Sequence, residues 1–294
     1  MPIAPSNDIE LYYETHGDPS EPALLMVNGF SSQIIGWHDG YRETLAERGR
    51  FVISFDNRDV GLSTHLDGVD ANLEAVIAAL TDGGDMPPVP YTLSTMAADA
   101  VGLLDHLGID SAHVTGSSMG GMIAQQIAID HPTRVLTLTS VMSTSGEPEY
   151  FEGTPEANAA LTGPRPTERE AFVADAVEKR AISCSTRYFD PVETKRMSED
   201  AYDRMFYPEG LARQMAAIRA SGDRAEGLRA LDIPTLVIHG REDTLILPKG
   251  GERTAELVPG ANLLMLNDMS HDLPRPLWPL IIDAIISHTT HAIG

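Results

Sequence analysis

One serine in this sequence is placed to act as a nucleophile. Gly116-Ser117-Ser118-Met119-Gly120 fits the G-x-S-x-G pattern, in which a strand turns sharply into a helix and leaves the serine strained and exposed. The positions two before and two after the serine approach each other in such a turn, so side chains there would collide and glycine is required. That requirement selects Ser118 over Ser117, whose corresponding neighbours are Thr115 and Met119. The pentapeptide alone arises by chance, and its setting decides. The strand-like His113-Val114-Thr115 precedes it, and the helix-like run from Met122 to Ala128 follows with its N-terminus toward the serine.

A serine hydroxyl is a weak nucleophile until a base takes its proton. Behind a turn of this kind the acid and then the base follow in the chain, so both are sought after residue 118. His271, in Asp268-Met269-Ser270-His271-Asp272, lies between the last predicted strand and the last predicted helix and is the best placed of the ten histidines. Asp243, in Gly240-Arg241-Glu242-Asp243, follows the predicted strand Thr235 to Ile238. It would fix the imidazole tautomer and stabilise the cation formed during attack. Glu242 is its nearest competitor, and Asp268 is close enough in sequence to approach His271 locally. His239, at a strand end, reads as a packing or hydrogen-bonding residue.

Acyl transfer also needs donors for a developing oxyanion. The backbone N–H of Met119 is one candidate, and the loop after the predicted strand Ala23 to Val27 should supply the other. In Asn28-Gly29-Phe30 the Phe30 amide is the choice, with Gly29 letting the backbone come close to a substrate carbonyl. Asn28-Gly29 also fits a plain tight turn. The other reactive groups read as bystanders. Cys184 stands in Ile182-Ser183-Cys184-Ser185 without a nearby histidine. His288 and His291 share a helix face with no third ligand, and no H-E-x-x-H occurs. No metal or cofactor is expected.

The elements around these residues have a consistent rhythm. From Ile9 to Ser145 short apolar runs alternate with helix-period segments, the pattern of a parallel sheet wrapped by helices. Ala23 to Val27, Phe51 to Phe55, His113 to Thr115 and Val135 to Val141 are predicted strands, with Ile9 to Tyr13 as an opening edge strand. A helix is predicted over Thr92 to Leu107, ending at Gly108. The stretch 67 to 90 reads as loop, with Asp82 to Pro90 rich in turn residues. From about Gly146 to Arg229 no buried strand is evident and the segment reads as helical. One helix is expected to begin at Thr167 with a Thr167/Glu170 capping box, and another to carry Leu211, Met215 and Ile218. The βα rhythm returns with Thr235 to Ile238, a helix near Glu252 to Val258, the strand Asn262 to Leu266 and a helix around Leu277 to Ser287. The expected organisation is therefore an α/β core from residues 1–145 and 231–294, with a helical cap inserted at 146–230.

Composition limits the partners. There are 43 acidic against 21 basic residues among 294, a net charge of −22, so the surface field opposes nucleic acid and anionic lipid. That field also opposes close self-association without forbidding it, which leaves the oligomeric state open. No run of about 18 apolar residues is present, so no membrane span is expected. The residues from Met1 to Asp8 lack the basic start and apolar run of a secretory signal, and the single cysteine fits a reducing compartment. A cytoplasmic location is the expectation.

Taken in order, Asn28-Gly29-Phe30, the segment Asp56 to Ser63, the Ser118 turn, Gly240 to Asp243 and His271 resemble the α/β-hydrolase superfamily over nearly the whole chain. Within it the sequence looks like bacterial esterases related to the anthracycline methylesterases. The resemblance implies a Ser118-His271-Asp243 triad, a lid made of the inserted helices, and hydrolysis of a small-molecule carboxylic ester through an acyl-enzyme. Lactonase, amidase, thioesterase, C–C bond hydrolase and perhydrolase activities are alternatives resting on the same serine chemistry, and a non-catalytic ligand receptor is a further alternative. Met, Phe and Leu in the insertion and in 67–90 point to an apolar portion on the substrate. The segment Asp56 to Ser63 reads as support beneath the site. Three positions depart from the family pattern, with Asn28 standing where His is usual, Ser270 where Gly is frequent and Thr244 where Pro is frequent.

Overall fold

The computed structural model describes residues 2–291. One sheet contains eight strands: β1 (Ile3–Ser6), β2 (Ile9–His16), β3 (Ala23–Val27), β4 (Phe51–Phe55), β5 (Ala112–Ser117), β6 (Val135–Val141), β7 (Thr235–Gly240) and β8 (Asn262–Leu266). Their order is β1-β2-β4-β3-β5-β6-β7-β8. The β1/β2 and β2/β4 pairs are antiparallel and all later pairs are parallel. Parallel neighbours need crossovers, and helices supply them. The helices are α1 (Asp39–Glu47), α2 (Leu73–Asp82), α3 (Leu93–His106), α4 (Met119–Asp130), α5 (Pro155–Thr162), α6 (Arg169–Ser183), α7 (Pro191–Arg204), α8 (Glu209–Ala220), α9 (Ala225–Arg229), α10 (Pro248–Leu257) and α11 (Trp278–His291).

The central strand β3 is apolar and buried at every position because both sheet faces are covered. In β3, Leu25 and Val27 join the core beneath α3 and α4, alongside Met96, Leu103 and Ile123. Leu24 and Met26 point the other way, into a second core with Tyr41 and Leu45 of α1 and Ile281, Ile282 and Ile285 of α11. This two-residue alternation holds the sheet in register, because a one-residue slip would exchange the two faces.

Several elements differ from the sequence expectation. Ile9 does not open an edge strand: β2 lies between β1 and β4, and β1 forms the edge. The β1–β2 connection is a two-residue hairpin in which Asn7 and Asp8 both have positive φ, at 47° and 65°, the signature of a type I′ turn. Residues 73–82, expected as loop, form α2, whose Val76 is buried against Ala216 of α8. The helix expected at Thr167 starts at Arg169 with Glu168 at its N-cap and no side-chain cap bond, so the Thr167/Glu170 capping box does not form.

Between residues 146 and 230 the helices fall into two groups. α6 and α7 pack on each other, with Phe172, Tyr202 and Phe206 in mutual aromatic contact. The residues of α8 and α9 do something different. Ala217, Ile218, Ala225 and Leu228 enter the main core, so this stretch buries apolar surface beneath the sheet helices as well as carrying helices outside them. No described helix is long and apolar enough to cross a membrane.

Candidate active site

Ser118 closes the turn between β5 and α4, with φ 56° and ψ −122°. A positive φ is unfavourable for a residue with a side chain and persists only where its surroundings enforce it. Here the Ser118 N–H donates to the Val141 carbonyl at 2.9 Å, and the Ser143 hydroxyl donates to the Ser118 carbonyl at 2.8 Å. A Cβ at Gly116 would overlap the Gly120 carbonyl, and one at Gly120 would overlap the carbonyls of Val27 and Asn28. The glycines are therefore a packing requirement of the turn.

The side chains expected to form a triad are joined in series. His271 Nε2 is 3.0 Å from Ser118 Oγ, and His271 Nδ1 is 2.8 Å from Asp243 Oδ2. Asp243 Oδ2 is therefore the acceptor, which places a proton on Nδ1 and leaves Nε2 free to accept from the serine. The competing acids are elsewhere: Glu242 is exposed, and Asp268 pairs with Arg187 at 2.7 Å.

Asp243 is almost fully buried, and its environment keeps it ionised. Burial alone would raise its pKa, but the facing His271 and hydrogen bonds from His239 and His271 outweigh that and hold it below the ordinary carboxylate range. Oδ1 accepts from the backbone N–H groups of Leu245 and Ile246, both at 2.9 Å. Oδ2 faces a second imidazole, His239 Nε2, at 3.3 Å. His239 is fully buried, and its Nε2 also lies 2.9 Å from the Ile246 carbonyl. With two acceptors around Nε2, the proton belongs on that nitrogen. The sequence reading gave His239 only a generic hydrogen-bonding role; its four-residue spacing from Asp243 across the end of β7 was the available signal.

Phe30 and Met119 flank the serine. Among the described residues neither backbone N–H has an intramolecular acceptor, and Met119 begins α4, where helical amides lack partners. A Cβ at Gly29 would lie 3.2 Å from the Ser118 Cβ, so the backbone before Phe30 runs directly against the nucleophile.

The inserted helices are tied to this constellation. The His271 N–H donates to the Ser183 carbonyl at the end of α6 at 2.8 Å, and Asp272 Oδ1 accepts from the Ser185 N–H at 3.0 Å. On the other side, Arg204 of α7 reaches Asp56 at 2.7 Å and Gln33 at 2.7 Å. Asp56 is fully buried and also accepts from the N–H groups of Ile34 and Leu62. Asp59 is held similarly by Arg213 and Tyr91. The Asp56 to Ser63 segment thus anchors α7 and α8 to the core. The sequence did not specify these partners.

A cavity of about 950 Å³ opens onto Ser118 and His271. Its walls combine Phe30, Trp37, Phe172, Met197 and Trp278 with charged side chains from α6 and α7. Cys184 also lines it, but burial pushes its thiol up to about 11, so little thiolate exists at neutral pH. His288 faces the Leu138 carbonyl and His291 the Ser287 carbonyl, and among the described residues no group of three or more His, Cys, Asp or Glu is arranged for a metal ion.

The chain is similar to several known proteins. The family model described as the alpha/beta hydrolase fold matches residues 22–274. The chain is 28% identical over 308 residues to rhodomycin D methylesterase DnrP of Streptomyces peucetius, covering 98% of this chain and 97% of that protein. It is 26% identical to 3-oxoadipate enol-lactonase 2 of Acinetobacter baylyi, covering 90% and 88% respectively. The crystal structure of the enol-lactonase from Burkholderia xenovorans LB400 superposes with a TM-score of 0.75 at 24% identity, over 98% of this chain and all of that one.

Proposed function

The chain belongs to the α/β-hydrolase fold family, and on that premise we propose that it is a serine carboxylesterase working through an acyl-enzyme. The carrying observation is the unbroken series of hydrogen bonds from Ser118 through His271 to Asp243. In this mechanism His271 Nε2 takes the Ser118 proton as Oγ attacks the ester carbonyl, and Asp243 stabilises the imidazolium. The amides of Phe30 and Met119 receive the developing oxyanion. His271 then returns the proton to the leaving alcohol, and a water activated by the same imidazole hydrolyses the acyl-enzyme.

We read residues 146–230 as the cap of this enzyme, because α5, α6 and α7 all contribute walls to the cavity. The mixed aromatic lining fits a substrate with an apolar portion, and likeness to a methylesterase supports a methyl ester of a bulky acid as the substrate to try first. The test is covalent labelling by a fluorophosphonate together with ester hydrolysis. Labelling that persists in Ser118→Ala, or unchanged turnover in that variant, defeats the proposal. Likeness to an enol-lactonase favours a second reading in which the ester is cyclic. Relative rates on a lactone and on its open-chain methyl ester separate the two.

A further inference from the structure

The ester-hydrolysis reading leaves the substrate's own charge undecided, and the cavity carries information about it. This chain has a net charge of −22, yet the cavity beside Ser118 is lined by several cations, most of them from the inserted segment. Most are already neutralised. Lys179 pairs with Asp175 at 2.9 Å, Arg196 with Glu193 at 2.8 Å and Asp200 at 2.7 Å, and Arg275 with Glu193 at 3.0 Å. Arg204 is held by Asp56 at 2.7 Å.

Arg165 and Arg180 are the contrast, neither being paired with a carboxylate among the described residues; Arg180 is exposed to water, whereas Arg165 is not. Arg165 lies in the turn between α5 and α6, half-buried, and lines the same cavity. Among the described residues its guanidinium has no carboxylate within 4.0 Å and no hydrogen-bond acceptor. The acidic charge that influences it, Asp175, is committed to Lys179. Burial lowers the Arg165 pKa, which expresses the cost of keeping this cation partly out of water. A guanidinium does not escape that cost by losing its proton at neutral pH, so a partner that fills its donors is favoured. Its planar fork of N–H groups matches a carboxylate. Leu161 of α5 and Phe172 of α6, on either side of this turn in the chain, line the same cavity.

Resting on the esterase reading, we propose that Arg165 forms a carboxylate subsite, so that the preferred ester carries a free carboxylate in addition to the scissile bond. Recognition of this kind is directional: replacing the arginine should strip the advantage of the charged substrate, because truncating one member of a desolvated charge pair is costly.

The experiment compares mono-4-nitrophenyl adipate with 4-nitrophenyl hexanoate, which has the same acyl chain length and no carboxylate. In the parent enzyme kcat/KM for the adipate ester should exceed that for the hexanoate ester at least tenfold. In Arg165→Met that ratio should fall at least tenfold, mainly through KM, and Arg165→Lys should recover part of it. An unchanged ratio in Arg165→Met, or a parent enzyme that prefers the neutral ester, overturns the subsite. Calorimetry of monomethyl adipate with Ser118→Ala protein reads the subsite without turnover; binding there should weaken at least tenfold when Arg165→Met is added. Equal binding with and without Arg165 also overturns it, even if hydrolysis of the esters fails and the esterase reading falls separately.

Discussion

His239 Nε2 stands 3.3 Å from Asp243 Oδ2, the same oxygen that His271 Nδ1 meets at 2.8 Å. One carboxylate oxygen therefore serves two imidazoles, one facing the serine and one buried at the end of β7. The buried ring packs closely against Gly251 of α10, where a Cβ would overlap it. A partner of this kind orients the acid and moderates its basicity. His239→Phe is expected to lower kcat by roughly tenfold, about 1.4 kcal/mol in the barrier, while His239→Gln, which keeps a donor, recovers part of it. The sign of the pH effect separates positioning from mere packing. Without the His239 donor the Asp243 pKa rises, so its protonation begins to suppress activity at a higher pH. A pH–rate profile on the acid side that stays fixed in His239→Phe would argue for packing alone.

The triad members should fail as a unit. Ser118→Ala and His271→Ala are each expected to reduce ester turnover by about 10³-fold or more, and the double variant should be little worse than either alone. Asp243→Asn should fold, since Oδ1 retains its two backbone donors, yet lose roughly 10³-fold by favouring the wrong tautomer of His271. Kinetics on an activated aryl ester, with circular dichroism as a folding control, checks all three. Additive losses would mean that the residues do not act on one proton path.

Much of this site was legible because each member follows the end of a strand. β5, β7 and β8 read as strands, and Ser118, Asp243 and His271 follow them within a few residues. Small residues marked the turn at Ser118 because backbone must touch backbone there. What escaped the sequence reading depends on tertiary partners. The α2 segment has a helical apolar period in Leu73, Val76, Ile77 and Leu80, but it leaves Ile77 and Leu80 exposed and buries Val76 against α8. The Asn7-Asp8 turn was a local hairpin signal passed over, since β1 is only four residues long and contains Pro5, which suits an edge strand. Arg204 and Gln33 are 171 residues apart, and no local pattern announces such a pair.

Acidification should weaken the fold through His113. This residue is fully buried in β5, with Nδ1 3.0 Å from the Thr137 hydroxyl and Nε2 without a partner. Burial, reinforced by the nearby charge of Arg50 and by His288, pushes its pKa down to about 4, against about 6.5 in an unfolded chain. Between those values the unfolded chain binds a proton that the folded chain does not, so stability rises with pH across the window and is lost as pH falls through it. From pH 7 to pH 5 this group alone should remove about 2 kcal/mol. His113→Asn, which keeps a side-chain partner for Thr137, should show a shallower loss in urea denaturation over the same range. Parallel curves for the two proteins would exclude His113 as the source.

The ion pair between Arg204 and Asp56 should carry both stability and substrate affinity. Asp56 is fully buried and has the Arg204 guanidinium at 2.7 Å, so removing that cation leaves a carboxylate supported by two backbone amides and no charge. Breaking one side of a buried pair typically costs about 3 kcal/mol or more, whereas replacing both sides costs far less. Arg204→Met should therefore destabilise the protein by roughly 3 kcal/mol, with Asp56→Asn in the same chain restoring part of the loss. The functional consequence follows from where α7 lies. Gln33 holds the end of that helix through the carbonyls of Ala201 and Met205, at 2.7 and 2.8 Å, and accepts from Arg204. Met197 and Ala201 of the same helix line the cavity. Loosening α7 changes that wall while the Ser118-His271-Asp243 series keeps its own supports, so KM should rise more than kcat falls. Thermal denaturation and steady-state kinetics on one ester give both quantities, and a loss confined to kcat would place the effect of Arg204 on the triad instead of the cavity wall.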